Sequence, residues 1–279
     1  MNDTPAVTAP PPPAVSRPGG LQGLLFGLAT VVLVAASTYY FTKTWLPPLV
    51  SDRKEIDAAI AITLLVTGVV FIATNLLLAY FGWRFQDREG AVAEYWHDNH
   101  KLEWTWSLIT AGILAMFLFS ALSLWAKVQS APPADAMLIE VTGQQFAWNV
   151  RYPGPDGRLG RTDHAVASQE NPIGLVADDP ASKDDVILLN NIYLPKDRPV
   201  RVILKSMDVI HSFFLPNFRV KQDAMPGMSI ETWFVPRQAG EFDLACAEHC
   251  GLGHYRMRGQ AHVVEAADFD KALTEAASQ

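Results

Sequence analysis

The twelve residues Cys246-Ala247-Glu248-His249-Cys250-Gly251-Leu252-Gly253-His254-Tyr255-Arg256-Met257 bring two thiols, the His254 imidazole and a thioether into one short stretch, and His211 adds an imidazole upstream. Soft thiolate and thioether donors select copper, and imidazole completes such a set. A mononuclear blue-copper loop needs one Cys and a weak axial Met. A second Cys four residues after the first can bridge a second metal, so the pattern supplies ligands for two copper ions that share both sulfurs. Two rival chemistries stand beside this one. Both cysteines of the chain lie in this stretch, so a Cys246–Cys250 disulfide suits an oxidising compartment, though it leaves His211, His254 and Met257 without a role. Zinc accepts two Cys and two His in a tetrahedron, but a thioether is a poor zinc ligand and Met257 is then unexplained.

The elements that must carry these residues divide the chain of 279 residues into two halves. In the first, Leu21–Thr42, Ala58–Trp83 and Trp104–Ala126 hold no formal charge, and each reaches the ~20 apolar residues that span a bilayer. Trp45, Trp83, Trp104, Trp106 and Trp125 fall at the ends of these runs, as interfacial anchors do. Basic residues do not orient the spans, because Arg84, Arg88 and Lys101 in one loop balance Lys43, Arg53 and Lys54 in the other. Residues 1–20 hold six prolines and read as a disordered leader. Glu103 opens the last apolar run, where a carboxylate also suits the helix dipole.

Ala131-Pro132-Pro133-Ala134 reads as the hinge within a linker over 127–136. The runs Met137–Thr142, Phe146–Tyr152, Val186–Leu189, Val200–Lys205, Ser229–Val235, Gly240–Ala245 and Gln260–Val264 are alternating or β-rich and are separated by turn residues. About seven short strands of this kind predict a Greek-key sandwich over 137–265, with a short helix and tail over 266–279. Ligands would then sit on loops at one end of a rigid scaffold. From Lys127 onward 15 Lys/Arg face 20 Asp/Glu, a net of −5. Asp178, Asp179, Asp184 and Asp185 are the densest acidic cluster, on a stretch that reads as a loop.

Cys246 to Met257 resembles the copper loop of cytochrome c oxidase subunit II, C-x-E-x-C-x3-H-x2-M. Asp208-Val209-Ile210-His211-Ser212-Phe213 resembles that family's D-V-x-H-S-[WF], and Lys221-Gln222-Asp223-Ala224-Met225-Pro226-Gly227 its K-x-D-A-x-P-G. The resemblance covers roughly Ile56 to Glu265. It implies a membrane-anchored all-β protein, with two or three N-terminal transmembrane helices followed by a cupredoxin-like Greek-key β-sandwich. The family has two spans before its copper domain, so the run from Leu21 is an addition, expected to be a third helix, with a secretory signal as the alternative.

The same resemblance implies a binuclear copper centre, CuA, with Cys246 and Cys250 as bridging thiolates. His211 and His254 would be the terminal imidazoles and Met257 a weak axial ligand. Glu248 would give its carbonyl to one copper and its carboxylate to a magnesium or manganese ion shared with subunit I, since hard cations favour oxygen. Electrons would arrive from cytochrome c, or from a haem c domain of a partner complex, and pass to the haems of subunit I, where oxygen is reduced to water with proton translocation. The copper domain would face outward from a bacterial inner membrane, whose lipid is the other partner, and a mildly acidic outer surface could steer a basic cytochrome c. No nucleic-acid partner is expected.

Glu103 in Leu102-Glu103-Trp104-Thr105-Trp106-Ser107 resembles L-E-x-x-W-[TS], where the glutamate marks a proton-uptake entrance. Asp208 would stabilise the copper-end loop or lie near the proton exit. Gly143-Gln144-Gln145-Phe146-Ala147-Trp148 departs from the family's G-H-Q-W-Y-W, so Phe146 stands where electrons would enter. The stretch Arg151–Arg161 is also more basic than usual, which points to a different donor docking mode. A membrane-anchored copper carrier or assembly protein is the alternative function. A copper-free quinol oxidase subunit conflicts with the intact Cys246, Cys250, His254 and Met257.

Overall fold

The computed structural model describes residues 21–44, 46–85, 90, 92, 96–168 and 170–278. The proline-rich leader, Trp45 and Arg88 lie outside the described residues. Three helices come first: α1 (Leu21–Thr44), α2 (Lys54–Arg84) and α3 (His100–Val128). Each is long and apolar enough to cross a membrane, and each is apolar on all faces, as a helix surrounded by lipid must be. The α3 start is capped reciprocally. The Asn99 side-chain oxygen accepts from Leu102 N at 3.1 Å, while the Glu103 carboxylate accepts from Asn99 N at 3.4 Å and meets His100 Nδ1 at 3.2 Å. Capping therefore already occupies Glu103.

The chain divides into two compact units, one of Ile62–Ala111 with the chain up to Trp45, the other of Leu46–Ala61 with Gly112–Gln279. In the first, α1 and α2 approach where side chains are small. A Cβ on Gly27 would lie 3.7 Å from the Ala79 carbonyl, and one on Gly82 would lie 3.1 Å from the Phe26 ring. Small residues at such crossings let helix backbones come together in lipid.

The second unit is a sandwich of two five-stranded sheets. Its strands are β1 (Met137–Gln144), β2 (Ala147–Tyr152), β3 (Val186–Leu189), β4 (Asn191–Pro195), β5 (Val200–Ser206), β6 (His211–Leu215), β7 (Val220–Ala224), β8 (Ile230–Phe234), β9 (Gly240–Cys246) and β10 (Arg258–Val264), followed by helix α4 (Phe269–Ala277). The sheet orders are β3-β2-β1-β5-β8 and β4-β10-β9-β6-β7, with β1–β5 and β4–β10 parallel. Alternate residues point inward. Ile139, Val141, Trp148, Val150, Val202 and Leu204 from one sheet meet Ile192, Leu194, Phe213, Leu215, Leu244 and Val263 from the other in one buried core.

The strands β4, β6 and β7 go beyond the seven sequence-predicted runs. Asn190, with φ of 59°, turns the chain from β3 straight into β4 of the other sheet, so no loop separates them. The strand β6 opens at His211 and β7 is a charged edge strand, a composition that hides an edge from β-propensity.

On the outer face of the first sheet, the connection between β2 and β3 folds over Arg151. The guanidinium donates to Glu140 at 2.6 and 3.0 Å, to Asp185 at 2.9 Å and to the Gly160 carbonyl at 2.7 Å. Arg151 and Asp185 were legible as a basic stretch and an acidic loop, yet both side chains are interior. Arg151 therefore adds nothing to a docking surface.

The segment before α2 also belongs to this unit. Val50 N donates to the Asn217 carbonyl at 2.9 Å, Arg237 N to the Val50 carbonyl at 2.7 Å, and Ser51 Oγ to the Phe218 carbonyl at 2.8 Å. Arg219 holds Asp57 through two contacts of 2.6 and 3.0 Å.

Candidate metal centre

Strand β9 delivers Cys246 at its last position and β6 delivers His211 at its first, and the two strands pair through Phe213 and Cys246. Cys246 N donates to the Met257 carbonyl at 3.0 Å and Ala247 N to the Ser212 carbonyl at 3.0 Å, which pins both ends of the loop. Between them the chain turns on Gly251, whose φ of 128° favours glycine. A short 3₁₀ turn then runs over His254–Arg256.

Among the described residues, the ligand atoms of His211, Cys246 and Cys250 lie within 4.8 Å of one another, all three side chains buried. Cys250 is the hub: its Sγ lies 3.9 Å from Cys246 Sγ, 3.6 Å from His254 Nδ1 and 3.6 Å from the buried Met257 Sδ. The thiols are not bonded to each other, since a disulfide would bring them to about 2.05 Å. Cys246 Sγ lies 3.2 Å from the Glu248 carbonyl, while Glu248 itself is exposed. His249 is exposed too, its ring 5.6 Å from that of His254.

The electrostatics separate the two sulfurs. Burial opposes the Cys246 thiolate, but His211 and backbone groups at Ser212 and Glu248 hold its pKa down to about 6. Burial, together with the neighbouring Cys246, pushes Cys250 up to about 11. Without a cation a proton is therefore held more tightly by Cys250 than by Cys246, and a soft metal must displace it to bind both sulfurs.

His211 is braced from behind. Its Nε2 lies 2.7 Å from Asp208 Oδ1; since a carboxylate only accepts, Nε2 carries a proton, and in the neutral imidazole it is Nδ1 that keeps a lone pair for a metal. That Nδ1 is buried and has no hydrogen-bond partner. Burial works against the Asp208 carboxylate, yet His211 and the amides of Gln145 and Val209 hold it below the ordinary range. A histidine whose far nitrogen donates to a carboxylate is the usual posture of a metal ligand. The donor set, the unbonded thiols and this lone pair together fit copper.

The turn between β1 and β2 ties the halves together. Gln145 N donates to Asp208 Oδ2 at 2.7 Å, and Gln145 Nε2 donates to the Cys250 carbonyl at 2.6 Å. The Phe146 ring, half-buried, packs on Gly253, where a Cβ would come within 2.4 Å of it, and the Arg256 guanidinium lies 5.8 Å from its centroid. Trp148 is buried edge-on to His211 at 5.9 Å. Among the sequence-predicted site residues, Phe146 and Asp208 thus stand with the copper-loop residues, whereas Glu103 lies on α3 in the helical unit. Gln145 and Gly143 carried no signal of their own, except that they flank Phe146 in the motif.

Gly143 explains why that motif begins with glycine: a Cβ there would lie 2.8 Å from His211 Cδ2. Gly143→Ala must shift the imidazole. We expect weaker copper binding by about 10–100-fold, the range for misoriented ligands, with the sandwich still folded. Competition with a copper chelator, read alongside circular dichroism, checks this.

A family model described as cytochrome C oxidase subunit II, periplasmic domain, matches residues 137–266. The alternative cytochrome c oxidase subunit 2 of Bradyrhizobium diazoefficiens is 41% identical over 249 residues, 89% of this chain and 90% of that protein. The chain belongs to the cytochrome c oxidase subunit II family. Cytochrome c oxidase subunit 2 of Cereibacter sphaeroides is 30% identical over 209 residues, 70% of this chain and 67% of its own. The crystal structure of the periplasmic domain of subunit II of cytochrome oxidase (CoxB) of Bradyrhizobium japonicum is 30% identical, covering 53% of this chain and 98% of its own at a TM-score of 0.39. Membership of the subunit II family, with three helices able to cross a membrane, fits a membrane-anchored protein with a cupredoxin-like sheet domain.

Proposed function

We propose that this chain is the electron-accepting subunit of a bacterial cytochrome c oxidase, holding CuA on the outer side of the inner membrane. Cys246, Cys250, His211 and His254 would hold the copper pair, with Met257 and the Glu248 carbonyl as the weaker ligands. The observation that carries the reading is the unpartnered, buried His211 Nδ1 in a group with two unbonded thiols. When bound, the copper pair supplies a one-electron couple with its charge spread over both metals. The chain's residues then do the positioning. Asp208 fixes the His211 tautomer, Gln145 holds the Cys250 carbonyl, and the buried Met257 and Trp148 keep water from the sulfurs.

The Phe146 edge under Arg256 would be the point where cytochrome c, or a haem c domain, hands over electrons bound for subunit I. The exposed Glu248 carboxylate would supply one oxygen to a magnesium or manganese ion completed by subunit I, and Glu103 would mark proton uptake.

The test uses the full chain in detergent, loaded with copper. Two coppers per chain with hyperfine splitting from two equivalent nuclei support the reading. One copper with a localised spectrum, or a Cys246–Cys250 disulfide that binds none, sinks it. Asp208→Asn keeps the shape but lets the side chain donate, so the wrong nitrogen of His211 can be protonated. We expect copper affinity about 10–100-fold lower, measured by competition titration, and an unchanged affinity would remove Asp208 from this role.

A further inference from the structure

Three of the chain's seven methionines, Met207, Met225 and Met228, fall within 22 residues outside the Cys246–Met257 loop. Two of them, Met207 and Met228, line one cleft of about 410 Å³ together with His164. Three separate elements bring them there. Met207 follows β5 and is fixed by its amide donating to the Gly143 carbonyl at 3.0 Å. Met228 closes a turn in which its amide donates to the Met225 carbonyl at 3.2 Å, and Pro226 in that turn bridges to Ser206. His164 starts a 3₁₀ turn that Asp163 caps by accepting from Ala165 N at 2.9 Å.

The charge in the cleft is already balanced, because Lys205 Nζ pairs with Glu140 Oε2 at 2.6 Å. Thr142, Thr162, Ser206 and Ser229 add only neutral hydroxyls, so the soft donors here are two thioethers beside an imidazole, with the one lining carboxylate, Glu140, already paired. Thioethers are soft ligands that select the cuprous state, and a monovalent ion brings half the charge of a divalent one to a site with neutral ligands. Met228 is 52% exposed, so an ion here could exchange with solvent.

We propose that Met207, Met228 and His164 bind one cuprous ion in this cleft, in addition to the copper held at Cys246 and Cys250. The site shares no ligand with that centre. Full-length protein in detergent is titrated anaerobically with Cu(I) against a chromogenic cuprous chelator. Wild type is expected to take up one Cu(I) more than M207L/M228L, which keeps side-chain volume, and H164Q is expected to lose the same ion. The electron paramagnetic resonance spectrum of the cysteine-bound copper should be unchanged in both variants, which shows that they fold. C246S/C250S should retain the one ion that M207L/M228L loses. Equal uptake by wild type and M207L/M228L overturns the proposal and leaves the methionines as an apolar surface only. Failure of the CuA reading would instead appear as uptake indifferent to C246S/C250S.

Discussion

Cys250→Ser is expected to abolish the proposed two-copper centre. The Cys250 sulfur lies within 4 Å of the Cys246 sulfur, the His254 Nδ1 and the Met257 sulfur together. A serine oxygen is a hard, weakly acidic donor that cannot bridge two soft metals. Copper per chain should fall from two to one or none, and any remaining signal should be localised on one nucleus. Oxidation of cytochrome c by an oxidase assembled with the variant should fall by more than about 100-fold, beyond what outer-shell changes cost. Metal analysis and electron paramagnetic resonance on the variant decide it, with circular dichroism as the fold control. Retention of two coppers and a delocalised spectrum would take Cys250 out of the ligand set.

The largest expected loss of stability comes from Arg151→Met. The substitution roughly preserves volume but leaves Glu140 and Asp185, at 3% and 0% side-chain exposure, without the guanidinium between them. Breaking a buried ion pair on one side costs about 3–5 kcal/mol. Lys205 still reaches Glu140, so Asp185 is the more exposed to the loss. Burial already raises the Asp185 carboxyl, against the Gly160 amide and Arg151, and removing Arg151 raises it further. A carboxyl raised in the folded state costs stability as pH climbs through that raised value, and acid relieves the cost. The deficit of the variant should therefore be large near pH ~7.5 and smaller near pH ~5. Denaturation followed by tryptophan fluorescence at both values checks the sign. A deficit that grows on acidification would contradict the assignment.

Much of this arrangement was legible in the sequence, for identifiable reasons. Charge-free runs of ~20 residues or more match the length that crosses a bilayer, so helices could be expected at all three before any fold was known, with a secretory signal as the alternative for the first. Alternation exposed seven of the strands, because inward Ile139, Val141, Val150 and Val202 sit every second residue. It failed where function or an edge overrides pattern, at His211 and along Val220–Ala224. The soft-donor loop advertised its chemistry by residue type alone. What supports the loop did not. Gln145 acts through one amide and one side-chain nitrogen, and Gly143 through the side chain it lacks; neither is visible until two distant turns are brought together. Counting charges misled in one place, since Arg151 and Asp185 read as surface and are each other's interior partners.

The strip Val50–Asp52 has a practical bearing on where this protein can be cut. It reads as a spacer between two membrane helices, yet its backbone completes the sandwich beside Asn217, Val235 and Arg237, and Val50 is 2% exposed within the core. A fragment starting at the Ala131–Ala134 hinge would carry every proposed copper ligand but not this strip. It would wet the groove that Val50 fills, forfeiting about 1.5–3 kcal/mol of apolar burial. A graft of Pro47–Arg53 ahead of residue 131, or simply the peptide added in trans, should return part of that loss. The sheet domain thus borrows a piece of itself from between the first two apolar helices, and the natural seam of this protein does not run where its hydropathy changes.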